Sequence, residues 1–455
     1  MGGDMSDVTS LTTRRVAIIA ALFMLLGVLV SPGRQAQAAD RSDCIDPNAP
    51  VGVEQARLTR TLGTNPVPVP QQILERSGFG DVEVKFIRAL CTAHSFQQAE
   101  HAAANQGARL WRAAVDRAKG INLVGDLPAS DDRPLYWARL QMTRAIQQYR
   151  PTFPLSDEQR HSLVWAVEVP SRGQGGEIRL PAGNTVNRML VSGFDPFTLD
   201  PEPRRGNPSG ASILGVDGTT VDSEDGPVYL ESVILPVNWT EFDLGMVEDA
   251  FGPFMQEGRR QVDATMTISQ GGGRFDIEQF NGRFRTGTSN DGINPCTSPL
   301  FTRPECQITP PTEWVPFEPP QWTSTTQPVD ALLNAGTGPY LVNHRTSVRE
   351  FLVCGETETV FRPDGPSSLD ACARSGGGGS YLSNEVAYRV TLLRDALGLD
   401  IPAGHLHIPP MPFASDNGPG SADPQITDPV FEQNRTNVTN QTRELVRVAA
   451  RAIDN

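Results

Sequence analysis

Apolar positions follow three different rhythms along the chain. A run of fifteen residues, 16–30, is apolar without a polar break. Between 39 and about 175, apolar residues return every three or four positions, which is the helical period. The stretch 97–119 is rich in Ala, Gln and Arg with Leu110, Trp111 and Val115 on one side, and Asp132-Arg133-Pro134 opens a second helix carrying Trp137, Leu140 and Ile146. Ser156, with Gln159 three residues on, forms a capping-box signature ahead of 163–167. No cluster of titratable residues accompanies these helices, and His94, His101 and His161 stand singly. From about 186 the grammar changes to short strands at 189–192, 229–237, 264–269 and 405–408, alternating with helices at 242–254, near Val329, at 384–397 and through Leu445, Val448, Ala449 and Ala452. That alternation predicts an α/β fold: an open twisted, mostly parallel sheet with helices on both faces, preceded by a helical N-terminal region. The Pro/Thr/Ser-rich stretch 286–330, holding Cys296, Cys306, Trp314 and Trp322, reads as a long insertion clamped by a disulfide.

The first apolar run is flanked by Arg14 and Arg15 before it and Ala36-Gln37-Ala38 after it. A charged start, an apolar centre and an A-x-A site are the three parts of a secretory signal, so cleavage near Ala38 and a secreted product, extracellular or in the cell envelope, are expected. The membrane then enters only through the signal sequence. Export changes the meaning of the cysteines, because thiols pair outside the reducing cytosol. All six lie beyond Ala38, and sequence proximity favours Cys44 with Cys91, Cys296 with Cys306, and Cys354 with Cys372. No C-x-x-C spacing occurs, so neither a zinc site nor a redox pair is expected. The domain plan is therefore a signal over 1–38, a helical region of unassigned role over 39–175, and an α/β domain over 186–455 with its insertion at about 286–330.

Composition agrees with a globular chain: 455 residues, 38% apolar and 20% charged. Lys+Arg at 39 against Asp+Glu at 53 gives a net charge of -14, and losing three arginines and two aspartates with the signal takes it to -15. Such a chain has no surplus of positive charge to neutralise phosphates, which argues against a nucleic-acid partner. The sequence leaves the oligomeric state open.

Three strand ends run into glycine-rich or sharp turns, where α/β folds place their sites. They are 192–197, 270–278, and 376–384 together with 405–409. Leu190-Val191-Ser192-Gly193-Phe194-Asp195-Pro196-Phe197, followed by Asn207-Pro208-Ser209, resembles the opening signature of pyroglutamyl peptidase I, the pyrrolidone-carboxylate peptidases. In the same order, Leu235-Pro236-Val237 is similar to the family's L-P-V, and Gln270-Gly271-Gly272-Gly273-Arg274 to its Q-A-G-G-R. Gly379-Ser380-Tyr381-Leu382-Ser383-Asn384 is similar to its G-T-Y-V-C-N, and Gly404-His405-Leu406-His407-Ile408-Pro409 to its G-F-I-H-V-P. The resemblance covers about 186–455 outside the insertion and leaves the helical third unexplained.

That family removes N-terminal pyroglutamate with a Cys-His-Glu triad, needs no cofactor, and acts on peptides whose N-terminus is blocked. The resemblance implies His407 as general base and puts Ser383 where the family has its nucleophilic cysteine. The acid falls on Phe280 when counted from Arg274 without gaps, and on Glu278 if the loop is two residues shorter. Phe194, Phe197 and Gln270 would line the pocket of the flat, uncharged lactam, and Arg285 would stand near the oxyanion. A serine hydroxyl must lose its proton to a base during attack, so Ser383 needs both His407 and an acid behind it. One departure is the polar loop 198–205, where the family follows its second Phe with Gly-Gly. His405 and His407 share a strand face, yet a His-x-His pair without further ligands makes no metal site, so none is expected. Two functions stay open at this point: an exported pyroglutamyl-peptidase-like hydrolase with a Ser-His-Glu site, or a non-catalytic relative that binds a peptide N-terminus or a protein partner.

Overall fold

Helix formation in the N-terminal part follows the small-residue and capping pattern. In this computed structural model, which describes residues 44–183, 185–286, 309 and 312–453, the helices are α1 (Val53–Ala56), α2 (Val69–Glu75), α3 (Val82–Cys91), α4 (Phe96–Ala118), α5 (Arg133–Gln147) and α6 (Asp157–Ser171). Ser95 caps α4 by accepting from the Gln98 amide, and Ser156 and Gln159 exchange the two bonds of a capping box at the start of α6. Gly107 lets α4 and α6 close on one another, since a Cβ there would lie 2.8 Å from the Val167 carbonyl oxygen. The expected signal over 1–38 and the pair Cys296–Cys306 lie outside the described residues. Disulfides join Cys44 to Cys91 and Cys354 to Cys372, as proximity suggested.

The strands are β1 (Asn187–Phe194), β2 (Thr219–Ser223), β3 (Gly226–Leu235), β4 (Ala264–Gln270), β5 (Phe275–Glu278), β6 (Phe280–Gly282), β7 (Trp322–Ser324), β8 (Val342–Arg345), β9 (Val348–Phe351), β10 (Thr359–Arg362), β11 (Ala373–Ser375) and β12 (Ala403–Ile408). Interspersed with them are α7 (Pro208–Ile213), α8 (Trp239–Asp243), α9 (Met246–Met255), α10 (Val329–Asn334), α11 (Leu382–Ala396) and α12 (Pro429–Arg451). Seven strands form the main sheet in the order β2-β3-β1-β4-β12-β5-β8. Its centre, β3-β1-β4-β12, is parallel; β2 runs antiparallel to β3, β5 runs antiparallel to β12, and β8 runs parallel to β5. Strands β9 to β11 make a separate three-stranded sheet, and β6 pairs with β7.

Parallel strands covered on both sides are apolar on both sides. Met189 and Val191 of β1 point into a core shared with Trp137, Ile146 and Val446, whereas Leu190 and Phe194 point into one shared with Phe251, Val386 and Tyr388. The N-terminal helices and α12 therefore cover one face, and α8, α9 and α11 the other. Residues from 44 onward make one compact unit. Among the described residues no helix is long and apolar enough to cross a membrane.

Candidate active site

Register brings His407 and Glu278 together. β5 pairs antiparallel to β12 with His405 opposite Glu278 and His407 opposite Asp276. Residues opposite one another share a face, and so does the residue two further along, which makes Glu278 and His407 diagonal neighbours. Glu278 Oε1 lies 2.5 Å from His407 Nδ1. The carboxylate is wholly buried, and beyond this close approach neither of its oxygens has a hydrogen-bond partner among the described residues. Phe280, the residue that ungapped counting selects, stands on β6 in the two-stranded sheet. Two glycines make room: a Cβ on Gly271 would lie 2.7 Å from His407 Cβ, and one on Gly378 would lie 2.7 Å from Glu278 Oε2.

Ser383 is the second residue of α11. Taken alone, a serine at a strand-to-helix turn reads as an N-cap, but the cap position belongs to Tyr381, whose side chain makes no cap bond. The helix start is held from behind by Asn384, whose side-chain oxygen accepts from the Gly282 amide at 2.9 Å and whose nitrogen donates to the Gly282 carbonyl at 2.6 Å. The first-turn N–H groups of a helix have no partner within it, so they remain available as donors.

A cavity of about 120 Å³ opens at Ser383 and is lined also by Phe194, Phe197, Asn207, Val237, Ser269, Gln270, Tyr381 and Leu382. Four residues singled out from sequence, Ser383, Phe194, Phe197 and Gln270, thus meet on one small space. Thr198, directly after Phe197, holds φ at +57°, a strained conformation for a β-branched residue. No hydrogen bond joins Ser383 to His407 among the described residues. Arg285 is not part of the cavity lining: it is buried, 2.5 Å from Asp243 Oδ1 and 3.5 Å from Glu385 Oε1, with its guanidinium over the Trp239 ring. Its charge is committed to two carboxylates. A larger cavity of about 430 Å³ among the N-terminal helices, lined by Phe79, Lys85, Arg109 and Val124, contains no histidine.

The helices do carry charged clusters, contrary to the expectation from sequence, and one of them grips the cavity. Asp195, between Phe194 and Phe197, is buried against Arg139 of α5 at 2.8 Å and against Arg172 just beyond α6. Burial alone would raise this carboxyl, yet Arg139 and Arg172 override it and hold it below the usual range. Arg172 also reaches Glu168 at 2.7 Å. Asp132, at the start of α5, accepts from the Asn207 amide at 2.6 Å, and Asn207 in turn donates to the Asp195 carbonyl at 2.8 Å. No signal in the sequence reveals these pairings, because Arg139 and Asp195 stand 56 positions apart.

His405, on the same strand face as His407, is also engaged. Its Nδ1 lies 2.7 Å from Thr267 Oγ1 and its Nε2 2.7 Å from Ser269 Oγ. Burial first, and the adjacent His407 second, push its imidazole well below its ordinary pKa. Glu278, His405 and His407 keep potential ligand atoms within 4.8 Å of one another. Both ring nitrogens of His405 are taken by hydroxyls, and His407 Nδ1 faces Glu278, so the set is better suited to moving a proton than to holding a cation.

Comparison with known proteins gives two family matches: "PA0049, C-terminal domain" over residues 188–412 and "PA0049 N-terminal domain" over 35–168. Protein PA0049 of Pseudomonas aeruginosa (strain PAO1) is 37% identical, with 88% of this chain and 89% of that protein covered. Among solved structures, a mutant pyrrolidone carboxyl peptidase of Pyrococcus furiosus aligns with a TM-score of 0.36 at 16% identity, over 59% of this chain and all of that one. Pyroglutamyl peptidase I of Bacillus amyloliquefaciens aligns with a TM-score of 0.35 at 14% identity, over 59% and 99%.

Proposed function

This chain belongs to the PA0049 family, and from the site it carries we propose that it is an exported hydrolase that removes N-terminal pyroglutamate from peptides by a Ser-His-Glu mechanism. The observation that carries the reading is the 2.5 Å contact between His407 and a fully buried Glu278, on a sheet face covered by the helix that brings Ser383 to the cavity. Ser383 Oγ attacks the carbonyl of the pyroglutamyl residue and passes its proton to His407 Nε2. Glu278 holds the imidazole by Nδ1 and stabilises the cation that forms. Amides of the first turn of α11 receive the oxyanion, at the positive end of the helix. His407 returns the proton to the departing peptide amine, and a water activated by the same base then frees the pyroglutamyl group from the serine.

At about 120 Å³ the cavity is far below the ~300 Å³ of an ordinary ligand pocket, which suits one five-membered ring. Phe194, Phe197 and Tyr381 offer flat apolar faces, and Gln270 an amide for an amide. The disulfides Cys44–Cys91 and Cys354–Cys372 support export. Outside the cell a serine also avoids the oxidation that an exposed catalytic thiol suffers.

The missing hydrogen bond between Ser383 and His407 favours the second reading, a non-catalytic relative that holds a blocked peptide N-terminus. Apo sites often tighten only around substrate, so hydrolysis keeps precedence. The decisive assay is release of aminomethylcoumarin from its pyroglutamyl amide by the exported chain and by Ser383→Ala. Turnover abolished by the substitution supports hydrolysis. Equal background in both, with calorimetric binding of a pyroglutamyl peptide retained, establishes the binding protein.

A further inference from the structure

Ser269 lines the cavity but has no place in the mechanism above, and its surroundings determine which way its proton points. β4 and β12 pair in parallel with Thr267 beside His405 and Ser269 beside His407. The two hydroxyls bracket the His405 ring, Thr267 at Nδ1 and Ser269 at Nε2, each at 2.7 Å, and all three residues are buried. A ring so buried is neutral, with one N–H and one lone pair in its plane. Thr267 Oγ1 also lies 3.2 Å from the Gly404 carbonyl, which can only accept. Assigning its single proton to that carbonyl lets Thr267 receive the Nδ1 proton of His405 and leaves Nε2 as the acceptor that takes the proton of Ser269. In that arrangement Ser269 has no proton to offer the cavity and keeps acceptor capacity on its oxygen.

We infer that Ser269 is a specificity-determining residue whose Oγ, oriented by His405, accepts a hydrogen bond from the ring N–H of a bound lactam. The inference rests on the lactam reading given above and deepens it. A five-membered lactam has one donor and one acceptor. Ser269 meets the donor, and the Gln270 amide nitrogen, next along the same strand end, meets the carbonyl. A lactone of the same shape lacks the donor and would leave Ser269 facing an oxygen. A buried polar group left without its partner is what makes such a site selective.

The experiment measures KM and kcat for the pyroglutamyl coumarin amide and for its analogue with the ring N–H replaced by oxygen, in the exported chain and in Ser269→Ala. Expected is a lactam KM lower than the lactone KM by about tenfold or more in the parent, collapsing to within about twofold in Ser269→Ala. Ser269→Thr, which keeps the hydroxyl, restores the preference. Discrimination that survives Ser269→Ala overturns the inference, as does an equal loss on both substrates. Calorimetric binding of 2-pyrrolidone against γ-butyrolactone reads the same preference without turnover. A chain that hydrolyses neither substrate yet binds pyrrolidone through Ser269 sinks the hydrolase and leaves the inference standing. A chain that hydrolyses the lactam with no dependence on Ser269 does the reverse. Should Ser269→Ala not fold, the lactam-to-lactone ratio in Ser269→Cys, whose sulfur is a weak acceptor, decides on the same terms.

Discussion

Glu278→Gln separates the role of a charge from the role of a shape. Glutamine keeps the side chain's length and one acceptor oxygen for His407, and removes only the negative charge. In the parent the nearest atoms are 2.5 Å apart and the carboxylate is fully buried. Taking about 4 Å between the charge centres and an effective dielectric constant of about 20, the attraction to an imidazolium is about 4 kcal/mol. At 1.36 kcal/mol per decade this is roughly a thousandfold in rate, and loss of the productive tautomer raises it towards the ~10⁴ seen when a triad acid becomes an amide. The expected result is a fall of about 10³ to 10⁴ in kcat with KM changed less than about threefold, since Glu278 is not among the residues lining the cavity. Stability should move the other way or not at all. A buried carboxylate with one unpartnered oxygen is a desolvation cost that the amide reduces, so the melting temperature should hold or rise. The assay is steady-state release of coumarin beside a thermal melt of the same samples. Activity within tenfold of the parent would refute the orienting role of Glu278, and a collapse of the melting temperature would show that the carboxylate is chiefly structural.

Three further outcomes follow from the same geometry. Asp195→Asn leaves Arg139 and Arg172 short of their shared buried carboxylate and should cost about 3–5 kcal/mol in urea unfolding, with KM for the pyroglutamyl substrate raised because Phe194 and Phe197 flank that position; a loss under 1 kcal/mol would mean the clamp is dispensable. Asp132, raised to about 7 by burial and then by Asp131, takes up a proton on folding, so its contribution is fully present below about pH 4 and is lost as pH rises through about 7. Asp132→Asn should therefore be more stable than the parent at pH 8, with the gap closing as pH falls to about 4; a gap that ignores pH in urea titrations from about 4 to 8 would contradict the assignment. Replacing Cys44 and Cys91 by Ala opens a bridge spanning 47 positions, worth up to about 4 kcal/mol in chain entropy, and should lower stability more than opening Cys354–Cys372, which spans 18; equal losses in calorimetry would argue against the entropic account.

Long elements were legible because their signals are local. The capping box at Ser156, the helical period of α4 and the apolar strands β1, β3 and β4 each need only their own neighbours to be recognised. Strands of three or four residues such as β5, β8 and β11 were not legible, because two alternations of side chain are too few to tell from a loop. The same limit applied to the acid. Sequence offered Phe280 and Glu278 according to the length assumed for one loop, and the antiparallel register of β5 on β12 puts Glu278 beside His407.

By itself, the amino-acid sequence determined the residue types at each turn and their order: a serine opening one helix, two histidines on one strand face, phenylalanines at the first strand end. It fixed chemistry that depends on identity and on near neighbours. Tertiary structure alone decided which of these meet. The contact of His407 with Glu278, the bracketing of His405 by Thr267 and Ser269, and the grip of Arg139 and Arg172 on Asp195 join residues from 23 to 138 positions apart. Their energies rest on separations of about 3 Å in a low-dielectric interior, and only the folded chain sets those separations.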